Sequence, residues 1–125
     1  MRVLLSIKPE FVDKIFDGTK KYELRKSLFK REDVSVVVLY ASSPISRIVG
    51  EFAIEGYVND DLESVWRQTK DYSGITEDYY LAYFKNRKMA TAIQIGHPIK
   101  YNKALLLSDY NINKAPQSYC YIPDK

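Results

Sequence analysis

The residues best suited to chemistry lie in one stretch, Gly18-Thr19-Lys20-Lys21-Tyr22-Glu23-Leu24-Arg25. A glycine turn would present a lysine. Strand alternation would then set Glu23 and Arg25 on one face, with Tyr22 and Leu24 on the other. Lysine and arginine donate to phosphate or carbonyl oxygens, and a carboxylate accepts hydrogen bonds from the amino groups of a base. On spacing alone the stretch reads first as an exposed strand face with a local Glu–Arg pair, and second as part of a nucleotide site.

Other residue types offer less. His97 is the single histidine, and one histidine makes neither a metal site nor a serine-protease-like triad. Cys120 stands alone and reads as a small core residue. Asp60-Asp61-Leu62-Glu63 reads as helix-start charge that complements the dipole. Lys85-Asn86-Arg87-Lys88 reads as a solvated basic turn that a phosphate backbone could touch. No Walker loop or dinucleotide glycine pattern occurs, so neither a metal nor a cofactor is expected. Tyrosine is abundant, eleven in 125 residues, and aromatic side chains among basic ones suit stacking on unpaired bases. Tyr79, Tyr80, Tyr83 and Phe84 have helical spacing and are expected as one buried stripe. Tyr101, Tyr119 and Tyr121 are the expected exposed stacking faces.

The elements that must position these residues follow from periodicity. Val3, Leu5 and Ile7 alternate as a first strand. Pro9 suits the first turn of a helix whose apolar stripe is Phe11, Val12, Ile15 and Phe16, with Gly18 as its stop. A short strand is expected over 21–25, a buried β-branched strand over 34–41 and a long strand over 47–58, where Gly50 suits a bulge or a corner. Asn59 or Asp60 can cap a helix bearing Leu62, Val65 and Trp66, and Thr76 can cap the tyrosine helix. A long strand is expected over 88–99, with Pro98 limiting its end to an edge or a bulge. Residues 100–117 read as irregular, and 118–122 as a last short strand. Strands outnumber helices without βαβ regularity, which predicts an α+β fold, a small mixed β-barrel flanked by about three helices.

One domain spanning residues 1–125 is expected, with a core that needs no staples at 46% apolar residues. The N-terminal apolar run is short for a signal peptide, and no run reaches a membrane span, so no membrane contact is expected. A single cysteine suits the cytoplasm. The net charge of +3 is unevenly spread. Residues 1–31 carry nine Lys/Arg against four Asp/Glu, residues 32–84 three against ten, and residues 85–125 seven against two. If the basic ends meet, they form one positive face suited to phosphates.

The motifs in their order resemble the ASCH domains of the PUA-like superfamily, whose signature looks like G-x-K-x-x-E-x-R after a first helix. Gly18, Lys20, Glu23 and Arg25 occupy those positions. Leu4-Leu-Ser-Ile-Lys8-Pro-Glu10, Tyr40-Ala-Ser42-Ser-Pro44, Ile48-Val-Gly-Glu51-Phe52, Trp66, Tyr72-Ser-Gly74, Tyr83-Phe84 and Pro116-Gln-Ser-Tyr119 are also similar to small single-domain members described as RNA-binding or transcriptional regulators. The resemblance implies a PUA-like barrel with a cleft between the first helix and the sheet, and ligand-binding residues Lys8, Lys20, Glu23, Arg25, Ser42, Glu51 and Tyr119. It also implies RNA or a nucleotide as partner.

Some members of the family are enzymes, one branch an amidohydrolase on N4-acetylcytidine and another cleaving single-stranded RNA. If this chain is one, the resemblance points to Lys20 and Glu23 as the catalytic pair. The amidohydrolase branch uses a lysine, a threonine and a more distant glutamate. Lys20 matches the lysine, Glu23 stands where the threonine belongs, and Glu51 or Glu55 would supply the glutamate. The leading expectation is therefore a binding module for RNA or a nucleotide. The alternatives are a small hydrolase and, from a different class, a protein-interaction module. Glu23 and Arg25 are expected to line a partly buried pocket as a mutual pair, with Lys20 or Lys21 as a second partner and arginine donors left for a ligand.

Overall fold

The structure, a computed structural model, describes residues 1–123. Val3, Leu5 and Ile7 form β1 (Arg2–Ile7), which is buried on both faces: those three pack in one core and Leu4 in another. Pro9 opens α1 (Pro9–Asp17), and Gly18 closes it at φ 86° with its N–H donating to the Ile15 carbonyl. There follow β2 (Tyr22–Arg25), β3 (Val36–Ala41), β4 (Arg47–Asp61), α2 (Leu62–Thr69), a 3₁₀ turn (Lys70–Tyr72) and α3 (Glu77–Tyr83). The chain then runs through β5 (Met89–Leu105), a second 3₁₀ turn (Leu107–Tyr110) and β6 (Tyr119–Ile122).

The six strands make one sheet in the order β2-β5-β4-β3-β1-β6. β1 and β3 are parallel, Leu5 opposite Leu39, and the other neighbours are antiparallel. The sheet is not closed, so the expected barrel is corrected to an open, mixed α+β sheet with three helices. α1 covers one face through Val12 and Ile15 against Val3, Val37, Leu39, Phe52 and Ile93. α2 and α3 cover the β2 end through Val65, Tyr80 and Phe84, which pack on Leu24, Ala90 and Ala92. Residues 105–115 lie over the opposite face at Leu4, Val38, Tyr40 and Ile48. Among the described residues no helix is long and apolar enough to cross a membrane.

Two local expectations change, and one holds. Asn59 and Asp60 do not cap α2 but remain in the β4–β5 ladder opposite Thr91 and Ala90; Asp61 is the cap, its carboxylate accepting from Ser64 N at 2.8 Å. Pro98 sits at a bulge, one of the two places expected for it, and β5 runs on past it. Glu51 faces Ile99 and Ala53 faces Gly96, so His97 and Pro98 together oppose Phe52 as a bulge, with His97 at φ 45°. A bulge leaves a residue out of the ladder, so a proline without an N–H is tolerated and the strand resumes to Leu105. Residues 100–105, expected irregular, are that continuation.

Gly50 is at a register shift, as its sequence context implied. A Cβ there would collide with the Ile99 carbonyl and the Phe16 ring, so only glycine lets β4 pass.

Candidate functional site

The open seam between the sheet edges β2 and β6 forms a cleft of about 520 Å³. Its walls come from the C-terminal end of β1, the start of α1, β2, α3 and the residues before β6.

The floor is a buried charge cluster. Lys20 is 2% exposed and Glu23 7%. Arg25 donates to Glu23 Oε2 from Nε at 3.0 Å and Nη2 at 2.9 Å. The Lys20 ammonium stands 3.5 Å from Glu23 Oε1. Lys20 Nζ also donates to the Ser73 carbonyl at 2.5 Å and lies 5.4 Å over the Phe11 ring. Gly18 and Gly74 make this burial possible. The first turns the chain back from α1. The second, at φ 73°, lies so close to the Lys20 stem that a Cβ would meet its Cβ, Cγ and Cδ at 3.0 Å. Burial pulls the Lys20 amine below the ordinary lysine range, and the Glu23 carboxylate opposes that pull.

Arg25 also joins the two sheet edges. Its Nη1 donates to Ser118 Oγ and its Nη2 to the Ser6 carbonyl, both at 3.2 Å. The donors expected to remain for a ligand are thus mostly engaged within the protein. Arg25 closes by side chain the seam that the strands leave open.

The upper walls are aromatic and basic. Tyr79 and Tyr83 of α3 stack at 6.5 Å with rings 14° from parallel, and Phe11 meets Tyr79 edge-on at 5.5 Å. Lys8 Nζ lies 5.4 Å from the Tyr79 ring centre and Lys26 Nζ 4.7 Å from that of Tyr83. Burial pushes the Tyr83 hydroxyl above the ordinary phenol range. Among the described residues, five cations line the cleft, Lys8, Lys20, Arg25, Lys26 and Arg87, against one carboxylate, Glu23. Among the described residues Lys8, Lys26 and Arg87 have no carboxylate partner.

Of the seven residues expected in the site, Lys8, Lys20, Glu23, Arg25 and Ser42 line the cleft. Glu51 and Tyr119 do not. Glu51 accepts from the Tyr101 hydroxyl at 2.8 Å, and Tyr119 packs edge-on against Phe29 and Tyr121. The Tyr121 hydroxyl accepts from the Lys30 and Arg31 amides. The three tyrosines expected to stack on bases therefore hold the fold together.

The stripe expected over Tyr79, Tyr80, Tyr83 and Phe84 is borne out in part. Only Tyr80 and Phe84 are buried, while Tyr79 and Tyr83 face the cleft. The signal was present: 79 and 83 form one i, i+4 stripe, 80 and 84 the adjacent one, and a seven-residue helix buries a single stripe. Arg87 comes from the basic turn, and Ser118 precedes β6.

The ASCH domain model matches residues 5–99. The chain belongs to the ASCH domain family. Its sequence is similar to the large ribosomal subunit protein uL22 of Ureaplasma parvum serovar 3, 28% identical over 120 residues. That match covers 96% of this chain and 39% of that protein, so the chain spans about two fifths of that relative's length. It is also similar to the ASCH domain-containing ribonuclease of Zymomonas mobilis, 25% identical over 122 residues, covering 95% of this chain and 82% of that one. The crystal structure of ASCH from Zymomonas mobilis superposes with a TM-score of 0.86 at 24% identity, over 98% of this chain and 87% of that one, and shares its fold. The ASCH match takes in every cleft residue from β1 to Arg87 and leaves Gln117 and Ser118 outside it.

Proposed function

We propose that this ASCH domain binds single-stranded RNA in the cleft between β2 and α3. The observation that carries the reading is the set Lys8, Lys26 and Arg87: three cations of the cleft without carboxylate partners, with Lys8 over the face of Tyr79 and Lys26 over that of Tyr83. Free cations hold phosphates, and aromatic faces hold unpaired bases. A cleft of about 520 Å³ has the dimensions of a small-ligand site. The Lys20–Glu23–Arg25 cluster supports the walls. An RNA ligand suits the cytoplasmic location expected from the single cysteine. Titrating labelled single-stranded RNA, duplex RNA and single-stranded DNA at low salt tests the reading. Single-stranded RNA binds tightest if it is right, and no binding of RNA overturns it.

A second reading is cleavage of the bound strand. It is favoured by the similarity to a protein named a ribonuclease and by the hydroxyls of Ser6, Ser27, Ser42 and Ser118 on the cleft wall. Glu23 stands beside Lys20 at the position where the amidohydrolase alternative has its threonine, which favours the other readings. Incubation of folded protein with single-stranded RNA separates the two readings: shortened products support cleavage, and intact RNA that remains bound leaves binding alone.

A further inference from the structure

The main chain of β2 offers a recognition element that no side chain supplies. In the β2–β5 register Glu23 faces Ile93 and Arg25 faces Thr91, so Lys21 comes opposite Ile95. Ile95 N donates to the Lys21 carbonyl at 2.9 Å, which makes that a hydrogen-bonded pair. Bonded and non-bonded pairs alternate along an antiparallel ladder. Glu23 and Arg25 therefore direct their N–H and C=O toward β5, and Tyr22 and Leu24 direct theirs away from it. β2 is the edge of the sheet and, among the described residues, pairs with β5 alone. Of the two outward residues, Leu24 lines the cleft and Tyr22 does not. The Leu24 side chain is anchored in the core with Val65, Tyr80 and Phe84, so its main chain is held in place. Among the described residues no loop or side-chain hydrogen bond takes its N–H or C=O. Main-chain groups of a buried residue ordinarily have partners, so a donor and an acceptor at this position suit a ligand.

We infer that the free edge of β2 reads the Watson–Crick edge of an unpaired base, with Leu24 N–H as donor and Leu24 C=O as acceptor. The inference rests on the RNA-binding reading above and specifies its ligand. Each base carries a donor beside an acceptor on that edge: N6 and N1 in adenine, N4 and N3 in cytosine, N1 and O6 in guanine, N3 and O4 in uracil. A main-chain pair can meet any of them. It therefore selects for the unpaired state over base identity, because a duplex has already used that edge. Glu23 and Arg25, bonded to each other, are not available for the task. The cations without carboxylate partners hold the phosphates.

The test uses fluorescein-labelled single-stranded oligouridine and two versions of it, one built from N3-methyluridine and one from 5-methyluridine. The first methyl blocks the Watson–Crick edge; the second lies off it. Expected is a loss of about tenfold or more for the N3-methyl strand, the effect of leaving a buried main-chain group unpaired, with the 5-methyl strand retaining binding. In the ¹⁵N-labelled protein the Leu24 amide resonance should shift with the unmodified strand. Equal binding of the N3-methyl and unmodified strands, or a Leu24 amide unmoved by a bound strand, overturns this inference and leaves the RNA reading standing. Failure of the unmodified strand to bind overturns both.

Discussion

Arg25 grips the carboxylate of Glu23 with two nitrogens, Nε at 3.0 Å and Nη2 at 2.9 Å, and the same guanidinium reaches Ser118 and Ser6 across the open seam of the sheet. Lys20 takes the other carboxylate oxygen from below. The pair is thus both the floor of the cleft and the fastening between β2 and the opposite edge.

Replacing Glu23 with alanine leaves a buried lysine and a half-buried arginine without their counter-charge. Removal of one partner from a buried pair costs about 3–5 kcal/mol. Urea unfolding of Glu23→Ala should show a loss in that range. A loss under about 1 kcal/mol would mean that water already screens the cluster.

The salt dependence of RNA binding should count the phosphate contacts. Three contacts on a single strand give a slope of about −2 in log affinity against log salt concentration, and each of Lys8→Ala, Lys26→Ala and Arg87→Ala should remove about 0.7 of it. An unchanged slope in the triple variant would place the phosphates elsewhere.

Tyr79 is the exposed member of the aromatic wall, at 36% exposure. Tyr79→Ala should weaken single-stranded RNA by about 1–3 kcal/mol, the usual worth of one base–aromatic stack. Anisotropy titration measures the effect, and thermal unfolding checks that the fold is retained. Affinity equal to that of the unmutated protein would remove Tyr79 from the site.

Tyr80 predicts an alkaline limit to stability. Its hydroxyl donates to the Leu62 carbonyl at 2.7 Å, and burial, with Asp61 nearby, pushes its pKa to about 12 from an ordinary 10.0. Between those values the unfolded chain loses the proton first. The folded state then binds more protons, and stability falls as pH rises. Tyr80→Phe should flatten that fall between about pH 10 and 12 in denaturant titrations, at a constant cost of about 1 kcal/mol at neutral pH for the lost hydrogen bond. An unchanged pH profile in the variant would assign the limit to other groups.

Gly50→Ala should destabilise although it adds one carbon. The new Cβ meets the Ile99 carbonyl and a Phe16 ring held against the core, and the backbone oxygen has little room to yield. Overpacking of this kind costs about 1–3 kcal/mol or more. An unaltered unfolding midpoint would show that the β4–β5 bulge relaxes freely.

The features legible from the residues alone are local. The strand of Val3, Leu5 and Ile7, the helix between Pro9 and Gly18, the Thr76 cap and the signature run from Gly18 to Arg25 were legible because each depends on neighbours within a few residues. The rest depends on long-range packing. Pro98 is harmless because a bulge opposite Phe52 absorbs it, and that bulge exists only through pairing with β4. Tyr79 and Tyr83 became walls while Tyr80 and Phe84 became core, because the place where α3 docks on Leu24, Ala90 and Ala92 selects which stripe is buried. Glu51 and Tyr119 lie outside the cleft lining, Glu51 bonded to Tyr101 and Tyr119 packed edge-on against Phe29, partners distant in the chain. The cleft itself arises because the sheet stops one seam short of closing, which brings Arg25 to Ser118 across 93 residues of chain. No periodicity encodes that gap. It follows from strand order, and strand order is set by long-range pairing.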